Sequence, residues 1–190
     1  MNRKGFTLIE LLAVIVILSV VLGIAIPSVT GYIVNSEKQG YVATVLQYVD
    51  AARKNGILGT NFKYPKEADS SVVISFGTLQ DYLDKGGLES PYGNRWILDK
   101  SFVVILNVGT KEEPKYNYYV TAYDGMYAIG VADASGSTSA MVIEEDSIDV
   151  SNVVRVTSGI SLPTTSTKYA ISGDTLVVNG SGLYSVFRVY

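Results

Sequence analysis

The stretch Lys4-Gly5-Phe6-Thr7-Leu8-Ile9-Glu10-Leu11-Leu12 decides how this chain is read. It opens an apolar run, and from Leu11 to Val34, about 24 residues, no side chain is charged. A membrane-spanning helix needs about 20 such residues. Leu, Ile, Val and Ala dominate the run, interrupted by Ser19, Gly23, Pro27, Ser28, Thr30 and Gly31. Arg3 and Lys4 stand immediately before it, which places that end in the cytoplasm and the remainder of the chain outside the membrane. A cleaved secretory signal peptide has a similar layout, but Ile24-Ala25-Ile26-Pro27 is a poor A-x-A-like cleavage site. A plain transmembrane anchor accounts for the length and leaves Glu10 unexplained. An ionised carboxylate costs roughly 2.5 to 3.5 kcal/mol at mid-bilayer and less near the interface, so it calls for a partner. A cut between Gly5 and Phe6 would create an α-amine one helical turn before Glu10, a spacing at which cation and carboxylate are neighbours. A second apolar helix, axially offset, could present its own amine instead.

The composition narrows the function classes. Of 190 residues 47% are hydrophobic and only 17% charged, and mean hydropathy is +0.24. That excludes a disordered tail. The net charge is −3 and the pI near 5.0, which argues against a nucleic-acid binder working through a basic face. With no cysteine and no histidine, the chain lacks thiolate metal sites, disulfides, a Cys nucleophile and the commonest general base. No Ser/Lys or paired-carboxylate arrangement stands out as catalytic, so the expectation is a non-enzyme without cofactor or metal.

Lys4-Gly5-Phe6-Thr7-Leu8-Ile9-Glu10-Leu11-Leu12 closely resembles the class III signal of type IV prepilins and the related pseudopilins. The resemblance covers about the first thirty residues and implies a role for several of them. Gly5 would be the residue after which a prepilin peptidase cuts, Phe6 the N-methylated new terminus, and Glu10 the assembly glutamate. Pro27 lies where the family commonly has a proline. Many Gram-negative relatives staple a C-terminal loop with a disulfide, which this chain cannot form; that departure is compatible with Gram-positive pilins or with pseudopilins.

Beyond Pro27 the pattern turns amphipathic. Tyr32, Ile33, Val42, Val45, Leu46, Val49 and Ala52 recur at three- and four-residue steps, and Asn55-Gly56 reads as a stop. One helix from about Thr7 to Asn55 is expected, with a kink or soft spot where Gly23 and Pro27 weaken it. The rest reads as β-rich. Short strands are expected at Val72–Ile74, Phe102–Val108, Tyr116–Tyr123, Met126–Val131, Met141–Ile143, Val153–Val156, Tyr169–Ile171, Leu176–Val178 and Leu183–Val189. Asp124-Gly125 and Gly173-Asp174 read as hairpin turns. Thr78 looks like the cap of a brief helix over Leu79–Lys85, and Ser90-Pro91-Tyr92-Gly93-Asn94 is a turn cluster. The expected fold is α+β: a long N-terminal helix, transmembrane in its first half and amphipathic in its second, packed on an antiparallel β-sheet head, as in the pilin fold. The domains follow as a leader at 1–5, an assembly half-helix at 6–34, an amphipathic half-helix at 35–56 and a head at 57–190.

Three features of the head invite chemistry. Glu144-Glu145-Asp146 with Asp149 could hold calcium, although a solvated loop accounts for it better. Tyr116, Tyr118, Tyr119, Tyr123 and Tyr127 could form a glycan-binding face, although cross-strand packing explains them as well. Asn179-Gly180-Ser181 matches a glycosylation sequon.

The resemblance implies a structural subunit that polymerises into a cell-surface filament for adhesion, motility or related tasks. Its partners would be other pilins, minor pilins among them, the prepilin peptidase, and an assembly platform with its ATPase. It would wait in the cell membrane as a single-pass precursor, head outside, and move to the surface pilus. The alternatives are a pseudopilin of a type II secretion or competence system, and a membrane-anchored adhesin or binding module that never polymerises.

Overall fold

The computed structural model describes residues 5–58, 62–83, 87–130 and 142–156, together with the strand backbones at 169–172, 175–178 and 187–189. It is an α+β arrangement led by one long helix, α1 (Leu8–Leu58). The helical backbone runs through Gly23 and Pro27 without a break. The chain divides inside α1 into two compact units, Met1–Glu37 and Lys38–Tyr190.

In the first unit every described side chain from Phe6 to Ser36 is exposed. Two of the hydroxyls in this stretch are satisfied within the helix. Ser19 donates its hydroxyl to Ile15 O at 2.7 Å and Thr30 to Ile26 O at 2.8 Å, so neither asks for an outside partner.

The second unit is built on a sheet of order β6-β4-β3-β2-β1-β9, with β5 paired to β3 beside β4. Its strands are β1 (Ser71–Ser75), β2 (Phe102–Asn107), β3 (Tyr116–Tyr123), β4 (Tyr127–Ile129), β5 (Ile143–Glu144), β6 (Val154–Arg155) and β9 (Phe187–Val189). β7 (Tyr169–Ser172) and β8 (Thr175–Val178) form a separate antiparallel pair, and Gly173-Asp174 between them lies outside the described residues. Pairing in the main sheet is antiparallel, except that β9 lies parallel to β1.

One face of the sheet packs on the later turns of α1. Tyr41, Val45, Tyr48, Val49 and Ala52 meet Val72, Ile74, Val103, Ile105, Val120, Ala122 and Ile129 in one core. The expected stripe is therefore rotated. Tyr32 and Ile33 are exposed, Val42 and Leu46 flank the contact, and Tyr41 and Tyr48 sit at its centre. The reason is aromatic. Tyr48 stacks on Phe76 at 3.6 Å, and Trp96 meets Tyr41, Tyr48 and Phe76 edge-on at 5.0, 6.2 and 5.5 Å. Gly87 O accepts from both Tyr48 Oη at 2.9 Å and Trp96 Nε1 at 3.0 Å, which satisfies the polar tips of two buried rings. On the opposite face, Val73, Phe102, Val104, Leu106, Tyr119 and Val142 form a second core, so β2 is buried on both sides.

Three local expectations shift. The helix passes Asn55 and ends at Leu58, and Gly56 lies within it. A Cβ there would stand 2.5 Å from Cζ of Tyr64, so the glycine is present to let that ring lie on the helix backbone rather than to stop the helix. The brief helix α2 is Phe76–Leu79, three residues earlier than expected. Ser75, extended at the end of β1, is its cap and accepts from Thr78 N at 3.4 Å. The β3–β4 turn also falls one residue later, on Gly125 (φ +92) and Met126, with Asp124 N bonded to Tyr127 O at 3.1 Å. Asp124 does not sit in the turn but fastens it: Oδ1 accepts from Met126 N at 2.9 Å and Tyr127 N at 2.7 Å, and Oδ2 from Ser90 Oγ at 2.5 Å.

Candidate functional site

The start of α1 gathers the residues expected to matter, and its geometry follows from one spacing. Thr7 directly precedes the helix, and Leu11 N makes the first intrahelical bond, to Thr7 O at 3.2 Å. Thr7 is therefore the N-cap and Glu10 the third helical residue. Glu10 Oε2 accepts from Thr7 N at 2.8 Å and Thr7 Oγ1 at 2.9 Å, while Glu10 N reaches Thr7 Oγ1 at 3.3 Å. This is a reciprocal capping box, which satisfies two amides that a helix start otherwise leaves without partners. It also places the carboxylate at the positive end of the helix dipole. Oε1 of Glu10 takes no hydrogen bond among the described residues.

Gly5 and Phe6 lie just outside the cap, in exposed non-helical chain. Phe6 is 82% exposed, and a Cβ at Gly5 would touch nothing within 4 Å. Among the described residues nothing packs on the Gly5–Phe6 peptide bond, which lies outside the helix. The structure brings Glu10 together with Thr7, a residue to which the sequence reading gave no role. The Thr-x-x-Glu spacing ahead of an apolar run was the signal for it. Gly23 and Pro27 lie far along the helix from this end, and the side of Gly23 is open.

The matched family model is described as the prokaryotic N-terminal methylation motif, and it covers residues 1–26. The chain carries a prepilin-type class III signal. That signal is shared by type IV pilins and prepilin-like proteins, and α1 behind it is long and apolar enough to cross a membrane. No solved structure matches the chain.

The prepilin-type signal accounts for none of the head's chemistry-bearing groups, and the structure assigns most of them to packing. Glu145 holds Arg53, with Nη2 at 2.7 Å from Oε1 and 2.5 Å from Oε2, while Asp50 takes Nη1 at 2.6 Å. The Arg53 guanidinium lies 4.6 Å over the ring of Tyr118, and Glu145 raises its pKa further above the usual arginine range. Asn117 donates to Glu144 at 2.8 Å. Asp149 caps the turn Val150–Asn152, and the hydroxyl and amide of Ser151 hold its carboxyl below the usual range. Among the described residues no group of three or more acidic side chains converges as a metal site would need. The tyrosines also disperse. Tyr116 stacks on Tyr64 at 4.4 Å, Tyr127 on Tyr92 at 3.9 Å, Tyr123 lies under Lys100, and Tyr119 is buried in the second core. Tyr64 donates to Arg53 O, so the 2.9 Å contact between its hydroxyl and that of Tyr118 has Tyr118 as donor. The sequon at Asn179 lies outside the described residues.

Proposed function

We propose that this chain is a structural subunit of a type IV pilus, a pilin cut between Gly5 and Phe6 and polymerised through the first half of α1. The observation that carries the reading is the class III signal joined to a capped carboxylate at the head of an uncharged helical stretch. The motif serves pilins and pseudopilins alike; a chain with no cysteine suits either. In the precursor, Arg3 and Lys4 hold the leader in the cytoplasm, and the apolar helix anchors the subunit with its head outside. Prepilin peptidase then frees the Phe6 amine, which is N-methylated and stays basic. When the subunit enters a filament driven by an assembly platform and its ATPase, Glu10 docks against a neighbour's Phe6 amine. The capping box supports this role: Thr7 occupies one oxygen of Glu10 and leaves the other to accept a second cation. Gly23 and Pro27 weaken the helix where subunits would have to adjust to one another.

The test is Glu10→Ala and Glu10→Gln in cells with no other copy of the subunit. Mass spectrometry should find both variants cut normally, starting at methylated Phe6. That cut moves the net formal charge from −3 to −5 because two cations, Arg3 and Lys4, leave with the leader. Sheared surface filaments should be lost, because leaving one member of a buried ion pair alone costs about 3–5 kcal/mol. Normal filament yield from Glu10→Ala would refute the proposed docking, and an intact Met1 on the surface protein would refute the processing.

A further inference from the structure

The uncharged run does not end at Val34 but continues to Ser36, so charge alone leaves the outer edge of the membrane undefined. At about 1.5 Å per residue the run is longer than the roughly 30 Å of bilayer hydrocarbon. Ser19 and Thr30 inside it do not mark the edge either. Thr30 returns its hydroxyl to Ile26 O and Ser19 to Ile15 O, so both are satisfied within the helix and tolerated by lipid. Tyr32 is different. Its side chain is 80% exposed, and among the described residues its hydroxyl has no partner. An apolar ring with a polar tip is best placed at a membrane–water interface, and Tyr32 is the one such side chain in the uncharged run. The distance agrees: from Glu10, the last charge before the run, to Tyr32 is roughly 33 Å of helix.

We infer that Tyr32 is the outer interfacial anchor of the precursor, seated in the lipid headgroup layer, and that it fixes the depth of α1 in the bilayer. The inference rests on α1 spanning the membrane and adds where that span stops. It places Gly23 and Pro27 inside the hydrocarbon, and Asn35 and Ser36 in water.

Because the chain has no cysteine, single cysteines can report depth. Full-length protein carrying Leu18→Cys, Val29→Cys, Ser36→Cys or Gln39→Cys is reconstituted in vesicles of phosphatidylethanolamine and phosphatidylglycerol and treated with a membrane-impermeant maleimide. Ser36→Cys should react like Gln39→Cys, and Val29→Cys about tenfold or more slowly, since the aromatic belt lies between them. Adding Tyr32→Ala should speed the labelling of Val29→Cys, and Tyr32→Trp should restore its protection. Equal labelling of Val29→Cys and Ser36→Cys with Leu18→Cys protected would overturn the boundary but keep the span. Protection of Ser36→Cys would overturn it in the other direction. A Val29→Cys rate indifferent to Tyr32→Ala would remove Tyr32 as the anchor. Labelling of Leu18→Cys itself would refute the spanning helix on which the inference rests.

Discussion

At Gly56 the cost of one methyl group can be read from the geometry. The ring of Tyr64 occupies the space a Cβ would take, with Cζ, Cε1 and Oη at 2.5, 2.7 and 2.9 Å. That ring cannot withdraw cheaply, since it stacks on Tyr116, donates to Arg53 O and accepts from Tyr118. Gly56→Ala is expected to destabilise the head by about 1–3 kcal/mol despite alanine's better helix propensity, as overpacking does. A thermal melt followed by circular dichroism checks it; an unchanged or raised melting temperature would mean the ring moves freely. The buried tyrosines carry a pH prediction. Burial pushes Tyr48 from its ordinary 10.0 up to about 12, and pushes Tyr41 and Tyr64 up as well, with the Asp124 charge adding to Tyr41. The folded state therefore holds these protons more tightly than the unfolded chain. Their contribution is complete below pH 10 and is lost as pH climbs toward about 12. Tyrosinate absorbance of the buried rings should rise together with loss of the near-ultraviolet dichroism in one step, while exposed tyrosines titrate earlier.

The β3–β4 hairpin shows how an element is held from outside itself. Gly125 and Met126 make the turn, but Asp124, only 4% exposed, gathers the amides of Met126 and Tyr127 and the hydroxyl of Ser90 from a distant loop. Tyr41 of α1 then donates to Tyr127 O at 2.8 Å, so helix, loop and hairpin close on one another. Asp124→Ala leaves three donors without their acceptor and should cost about 3 kcal/mol, within the range for buried unsatisfied groups. Asp124→Asn keeps an acceptor for the two amides and an N–H for Ser90, and should recover most of that loss. Urea denaturation of the two variants separates the cases. Equal losses would show that the negative charge, rather than the hydrogen bonds, is what the turn needs.

At the scale of the whole molecule, apolar surface is partitioned between two units. Every described apolar side chain up to Val34 is exposed, whereas Tyr41, Val45, Tyr48 and Val49 are buried against the sheet. A chain beginning at Ser28 keeps the core contacts and drops most of the segment proposed to bundle. It should be a soluble monomer by sedimentation that unfolds cooperatively. Filaments formed by this truncated protein alone would place the assembly surface in the head instead of in α1.

What the sequence determined by itself is the N-terminal end and the existence of the main elements. The class III signal and the uncharged run behind it are local patterns, and nothing elsewhere in the chain can cancel them; the Thr7–Glu10 spacing is equally local, although only the structure showed it to be a capping box. β2 and β3 were legible for the same reason, as runs of strand-forming residues ended by turn residues. The tertiary structure decided what depends on a distant partner. Periodicity put Val42 and Leu46 on the stripe of α1 with Val45, Val49 and Ala52, and left out Tyr41 and Tyr48. Trp96 and Phe76, brought from other parts of the chain, drew those two tyrosines to the centre of the contact. Gly56 reads as a helix stop until Tyr64 is laid across it, and Thr78 reads as a cap until Ser75 arrives at the end of β1 already extended. β9 lies parallel to β1, a pairing between residues more than a hundred positions apart that no local pattern encodes. Local hydrogen bonding and solvation act over a few residues and leave their trace in the order of amino acids; packing acts between segments that only the fold makes neighbours.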